Sequence, residues 1–276
     1  MITAMPRVAI AVEDFDRAIE TFRDAFGLPV VDFSDRTVPA LGAHVAMCVP
    51  EGGSNIELMA PADPAAPLSR SLQRFLDRRG EGLYALMLEA PDPDAEAEEL
   101  VARGMDVLPL MAGAGGRDIH PRSTHGVLIR VYPDGSVADQ GPQQRTGPVV
   151  SGITRVLVAT TDAARAAEVY GKGLGLDVDP VGYDAERGID RAICYPPEGG
   201  VIELLAPVDE GRPFAGEIGR FLADRGEGMF ALVLSSDDVA GATTVLDQRG
   251  VAAASSPSLQ ATETTVFGAR ILLERA

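Results

Sequence analysis

The sequence predicts an α+β protein of two tandem domains, each made of two βαβββ units, four units in all. Three observations lead there. The chain repeats itself: IELMAP at 56–61 returns as IELLAP at 202–207, and RFLDRRGEGLYALML at 74–88 returns as RFLADRGEGMFALVL at 220–234, with Glu57 to Glu203 and Gly80 to Gly226 both spaced by 146 residues. Within each half, short β-branched runs alternate with stretches of helical period. A chain of 276 residues, 46% hydrophobic and 24% charged, is also long enough for two cores of ordinary size.

The elements follow in order. RVAIAV, starting at Arg7, is a short strand. DFDRAIETFRDAFG follows as an amphipathic helix capped by Asp14, and strands resume after Pro29. Residues 43–49 and 55–59, separated by a GG turn, form a hairpin. LSRSLQRFLDRRG is a helix, after which the pattern restarts: a strand over 83–89, a helix over 94–103 ended by Gly104, and strands around Ile119 and over 127–132. RVAIAVEDFDRAIETF at 7–22 is answered by RVLVATTDAARAAEVY at 155–170. Between the halves, Pro133 to Gly152 is rich in Gly, Pro and Gln without apolar period. It reads as a linker, with a first domain over 1–134, the linker over 135–151 and a second domain over 152–276.

The net charge of −17 argues against nucleic acid, whose phosphates demand a basic face. No stretch approaches a membrane span, and the opening MITAMPRVAIAVEDF has no basic region followed by a long apolar run, so the expectation is a cytoplasmic protein. Cys48 and Cys194 fall at matching places in apolar segments and read as buried thiols rather than a disulfide or redox pair. There is no P-loop, dinucleotide fingerprint or serine elbow. The PEGG and RGEG repeats read as turn and helix-end chemistry, and Arg78, Arg79 and Arg225 as basic residues meeting helix C-termini.

The four βαβββ units, the DFDRAI helix start, the IELMAP strand and the RFLDRRGEG helix end resemble the vicinal oxygen chelate superfamily, which includes glyoxalases, bleomycin-resistance proteins and dioxygenases. APADPAAPLSRSLQRFLDRRGEGLYALMLE and DIHPRSTHGVLIRVYP (118–133) are most similar to methylmalonyl-CoA epimerases. The resemblance implies that units pair, each pair curling a mixed sheet into a cup, with adjacent units or outer and inner units as partners. It also implies a divalent metal held by His on first strands and Glu or Gln at the second position of an I-E-L-like triplet.

At those positions the first half carries Arg7, Glu57, Ala85 and Arg130, and the second Arg155, Glu203, Ala231 and Leu272. Only the glutamates remain. An arginine stays charged and has no acceptor, and alanine has no donor atom, so no metal in the family manner and no cofactor are expected. One reading has Arg7 and Arg130 holding an anionic group beside Glu57 as catalytic base. The other has the same residues forming a closed ion cluster in a dead site. Arg155, Glu203, His44, His120 and Tyr84 are further candidates for ligand contact, although His120 also suits a turn cap and Tyr84, matched by Phe230, a core position.

Three functions are weighed. The first is a metal-independent isomerase or lyase acting on a small carboxylate or acyl-thioester. The second is a non-catalytic small-molecule-binding or drug-sequestering protein, against which the 5% aromatic content and absence of Trp weigh only mildly. A metal-dependent epimerase or glyoxalase returns if the strand register is shifted. An extradiol-dioxygenase-like enzyme is set aside, since it needs two histidines and a glutamate in one cup. The partner expected is a small anionic molecule, with no nucleic acid and no membrane, and the chain as monomer or homodimer.

Overall fold

The computed structural model describes residues 1–34, 42–111, 113–136, 150–256 and 261–276. The first half comprises β1 (Ala4–Ala11), α1 (Phe15–Glu20), β2 (Val30–Asp32), β3 (Ala43–Cys48), β4 (Asn55–Pro61), α2 (Pro67–Arg79), β5 (Gly82–Ala90), α3 (Pro93–Ala102), β6 (Arg117–Ile119) and β7 (Ile129–Pro133). The second comprises β8 (Val150–Ala159), α4 (Ala163–Glu168), β9 (Asp177–Val178), β10 (Gly182–Asp184), β11 (Ile189–Tyr195), β12 (Val201–Pro207), α5 (Pro213–Arg225), β13 (Gly228–Ser236), α6 (Val239–Gln248), β14 (Ala253–Ser256), β15 (Ala261–Val266) and β16 (Ala269–Arg275). Most of the linker expected at 135–151 lies outside the described residues.

Local chemistry sets the helix starts. The Asp14 and Asp162 carboxylates accept the backbone N–H three residues on, and Asp92 and Asp238 do the same for α3 and α6. Both α1 and α4 run into a π-helical turn, over Thr21–Ala25 and Val169–Gly173. Pro67 and Pro213 open α2 and α5 without side-chain caps, and Gly80 and Gly226 close them.

Each half forms one curled, unclosed sheet, of seven strands in order β2-β3-β4-β1-β5-β7-β6 and of nine with the order β10-β11-β12-β8-β13-β16-β15-β14 and β9 beside β11. Because β1 pairs antiparallel with β5 and β8 with β13, adjacent units share a sheet, which answers the pairing question the sequence leaves open. One unit departs from the expected count. In the second, the first strand after the helix is reduced among the described residues to a single bridge, Val107 to Ile119.

Strand alternation divides each sheet into two chemically different faces. On one face Val8, Ile10, Ile56 and Leu58 of the first half join Val156, Val158, Ile202 and Leu204 of the second, with Phe22, Leu100, Tyr170 and Leu246 from the helices between them, in one continuous core shared by both halves. Cys48 and Cys194 lie in it as free, buried thiols. On the other face, which we term inner, Ala9, Met59, Ala85 and Met87 pack against Leu68, Leu72 and Leu76 of α2. In the second half Leu157, Leu205, Ala231 and Leu272 pack against Phe214 and Ile218 of α5. Each cup is therefore lined by its sheet and covered by its own helix.

The two PEGG turns do more than reverse the chain. Ser54, just after the first, exchanges backbone hydrogen bonds with Ile153, donates its hydroxyl to the Met5 carbonyl and accepts from Gly200 N–H, stitching the sheets together at their backs. The RGEG turns make the reciprocal contact at the other side: Gly126 lies against Glu227–Gly228, and Gly268 against Glu81–Gly82.

Candidate functional site

Strand register places the four sequence-derived positions of the first half on the inner face in two adjacent rows. One row runs Asn55, Arg7, Met87, Arg130, Asp118 across β4, β1, β5, β7 and β6. The next holds Met47, Glu57, Ala9 and Ala85. Arg7, Glu57 and Arg130 are thus brought together, and all three are buried, at 4%, 7% and 1% exposure.

Their polar atoms are unevenly satisfied. Arg7 Nε lies 3.3 Å from Glu57 Oε2, but neither atom completes a hydrogen bond, and Arg7 Nη1 donates instead to Ser136 Oγ at 2.6 Å. Arg130 Nε donates to Asp118 Oδ1 at 2.7 Å, while its Nη1 and Nη2 are buried without an acceptor. Burial works against the Arg130 charge and is outweighed by its neighbours, chiefly Tyr132 and Asp118, so the guanidinium stays cationic. A buried cation with two free N–H-bearing nitrogens is costly unless an anion completes it.

Tyr132 was not singled out from the sequence. Its ring lies under both guanidiniums, with Arg7 Cζ at 4.6 Å and Arg130 Cζ at 5.6 Å from the centroid. Burial raises its pKa, so the phenol stays protonated. The signal was available: Tyr132 follows Arg130 by two residues and so shares its strand face.

The second inner face is built differently. Glu203 is fully buried and both oxygens are engaged, Oε2 by Arg155 Nη1 and Oε1 by Arg191 Nη1, each at 3.1 Å, with Arg187 at 3.9 Å. Arg155 also pairs with Glu274. Leu272 stands beside Glu263 in the register, where the first half has Arg130 beside Asp118. Both Glu203 oxygens are thus closed in by arginines, while Arg270, two residues before Leu272 on the same strand, keeps a buried Nε without an acceptor.

The remaining candidates lie elsewhere. His44 is exposed on the outer face, its ring stacked on Phe15 at 5.3 Å, and is not brought to Arg7 and Glu57. His120 caps the short turn at 121–123 by accepting the Arg122 N–H on Nδ1. Tyr84 is buried, donates to Ser71 Oγ at 2.9 Å and meets Phe75 edge-on at 5.3 Å. His120 and Tyr84 share the wall of a cavity at the junction of the two halves, together with Arg74, Arg78, Arg79 and Arg225.

The donor set does not fit the divalent metal of the fold family. On the inner faces the carboxylates Glu57 and Asp118 of the first half and Glu203, Glu263 and Glu274 of the second are each faced by guanidiniums that repel a cation, and none of the candidate ligand positions carries an imidazole. Among the described residues, no three His, Cys, Asp or Glu side chains converge to hold a metal ion.

The family model for the Glyoxalase/Bleomycin resistance protein/Dioxygenase superfamily matches residues 7–120 and again 154–267. The chain belongs to that superfamily, as two tandem domains. Among solved structures it is similar to a triple variant of 4-hydroxymandelate synthase from Streptomyces coelicolor, at 17% identity and TM-score 0.68, covering 99% of this chain and 91% of that one. That likeness concerns the fold. Methylmalonyl-CoA epimerase from Mycobacterium tuberculosis matches at 30% identity over 50% of this chain and 92% of its own, with TM-score 0.40. A variant of the Streptomyces coelicolor epimerase in complex with 2-nitronate-propionyl-CoA matches at 25% identity over 50% and 99%, with TM-score 0.42. No curated protein matches the chain. None of the described helices is long and apolar enough to cross a membrane.

Proposed function

We propose that the inner face of the first domain binds a small organic anion, a carboxylate or an acyl thioester, without a metal, and that Glu57 acts there as the base of an isomerase- or lyase-type reaction. The supporting observation is the pair of buried, acceptor-less nitrogens on Arg130, on the same sheet face as a Glu57 carboxylate oxygen that also lacks a donor. In this reading Arg130 and Arg7 replace the charge a metal would bring. Glu57 takes the proton from the carbon beside the carbonyl, and the electron pair of that C–H bond moves to the carbonyl oxygen, which Arg130 stabilises. Return of the proton to the opposite face completes an isomerisation; departure of a group from the next carbon completes an elimination. The ion pairs that close in Glu203 support a structural role for that residue in the second domain. The chain works as a cytoplasmic monomer or homodimer.

One observation favours a second reading, binding without turnover: Arg7, Glu57 and Arg130 are all buried, on the sheet face against which Leu68, Leu72 and Leu76 of α2 pack.

The test has two arms. Full-length protein is titrated calorimetrically with small dicarboxylates and short-chain acyl-CoA thioesters, and the bound compounds are incubated with it in D2O to follow α-proton exchange by NMR. Arg130→Met is expected to lose binding while staying folded, with a lower melting temperature because Asp118 loses its partner, and Glu57→Gln to bind without exchanging. Exchange by Glu57→Gln at the parent rate removes Glu57 as base. Binding without exchange by the parent leaves the sequestering reading, and unchanged affinity in Arg130→Met ends both. Elemental analysis after exposure to Mn, Co, Ni, Zn and Fe and desalting is expected to find far less than one metal per chain.

A further inference from the structure

The junction of the two halves forms an open cavity of about 650 Å³, within the usual range for a small-molecule site. Its walls come from the C-terminal halves of α2 and α5 and from the glycine turns where the halves meet, at Gly126, Gly228 and Gly268. It is separate from the Arg7–Glu57–Arg130 cluster, none of whose members lines it.

The charge of this cavity runs against that of the chain. The protein carries 41 acidic against 24 basic residues, yet Arg74, Arg78, Arg79, Arg225 and Arg270 line the cavity and no Asp or Glu does. Arg270 is balanced by Glu217 and Glu263 through Nη2, but its buried Nε has no acceptor. Arg79 Nη1 donates to the Arg225 carbonyl at 3.0 Å, tying the end of α2 to the end of α5. Arg74, Arg78 and Arg225 line the cavity without a carboxylate partner among the described residues. Helix C-termini attract basic side chains, which accounts in part for Arg78, Arg79 and Arg225. It does not account for Arg74, in the middle of α2, or for four guanidiniums sharing one space without an acid.

Besides Ser71, His120 and Thr265, the rest of the lining is apolar or aromatic, with matching residues from the two halves. Phe75 meets Tyr84 at 5.3 Å and Phe221 meets Phe230 at 5.3 Å, both edge-on, so two aromatic corners face a common space. Arginines above aromatic walls are the arrangement that holds an anionic head on an apolar body.

We propose that this junction cavity is a second ligand site, taking an organic anion with an aromatic or compact apolar body, its charged group held by Arg74, Arg78 and Arg225 and its body by the Phe75/Tyr84 and Phe221/Phe230 corners. Because both halves contribute, a bound ligand also ties the domains together.

Calorimetry on the full chain with 1-naphthyl phosphate, against 1-naphthol, tests this. One site per chain is expected for the phosphate, falling with added salt, and at least about tenfold weaker binding for the uncharged alcohol. Arg74→Gln/Arg78→Gln/Arg225→Gln is expected to weaken the phosphate at least about tenfold with its melting temperature unchanged, since these side chains are exposed. The single Arg78→Gln, expected to weaken it about threefold, serves if the triple variant loses its fold. No heat with 1-naphthyl phosphate at millimolar concentration, or the same affinity in the folded arginine variants, overturns the proposal. Loss of binding in Arg130→Met with none in the triple variant assigns the anion to the inner face and overturns it equally.

Discussion

Replacing Gly268 by alanine tests whether the two halves are locked together by backbone contact at the glycine turns. Gly268 has φ of 64°, and a Cβ built there lies 2.6 Å from the carbonyl carbon of Glu81 and 3.2 Å from Gly82 N, closer still to the Glu81 oxygen. Carbon atoms normally rest about 3.5–4.0 Å apart, so the turn has to withdraw by roughly 1 Å. These are backbone atoms of the other half and no side chain can swing away. The left-handed backbone conformation alone costs alanine about 1–2 kcal/mol. Forcing the packed junction adds about 1–3 kcal/mol, for a total of about 2–5 kcal/mol. Gly104 is the control, with φ of 85° and nothing within 4 Å of its added Cβ, so Gly104→Ala carries only the conformational cost. Urea unfolding of full-length variants, followed by circular dichroism and fitted with m held as a check, measures both. The expected result is Gly268→Ala less stable than Gly104→Ala by about 1–3 kcal/mol. Equal losses would refute the claim that backbone contact at this turn holds the halves together.

Two further predictions concern charge. Burial works to raise the pKa of Glu227, but hydrogen bonds from the Thr161 N–H, the Thr161 and Thr160 hydroxyls and His125 outweigh it and bring it down to about 2. Since the folded value lies below the ordinary 4.5, the stability it lends is complete above about pH 4.5 and is lost as pH falls towards about 2. Glu227→Gln is expected to cost about 1–2 kcal/mol at pH 7, a gap to the parent that narrows through that window in thermal melts; a gap independent of pH removes the assignment. In the second comparison, Glu203→Gln removes the negative charge and turns one of two oxygens that accept at 3.1 Å into an NH2 donor, and is expected to cost about 1–3 kcal/mol, whereas Glu57→Gln, whose Oε2 makes no hydrogen bond, costs less than about 1 kcal/mol. The reverse order in urea unfolding would show that the first inner face, not the second, is the closed network.

Much of the fold was legible because repetition is a signal independent of any single residue. Two aligned copies of β1-α1 and of β4-α2-β5 carry the same alternation and the same caps, so errors in one copy are corrected by the other. The second unit's missing strand was not legible, since the segment after Gly104 has strand-like residues that find only one bridge in the sheet. Of the site, Arg7, Glu57 and Arg130 were legible from position in the repeat, and Tyr132 could have been from alternation. Arg78, Arg79 and Arg225 were assigned to helix ends, which is where they are; that both helix ends open on one cavity depends on how the halves dock.

The sequence by itself determined the duplicated α+β architecture, the loss of imidazole from the family's ligand positions and the two buried thiols, because each of these follows from residue identity and local period. Which units share a sheet, and that Glu203 is fully engaged while Arg130 keeps two free nitrogens, were decided by the tertiary structure. The same holds for the glycines of PEGG and RGEG, which are local turns in sequence and contacts between halves in space. The physical reason is that hydrogen bonds and ion pairs depend on side chains meeting within about 3 Å across strands and domains far apart in the chain, and no local pattern encodes that distance.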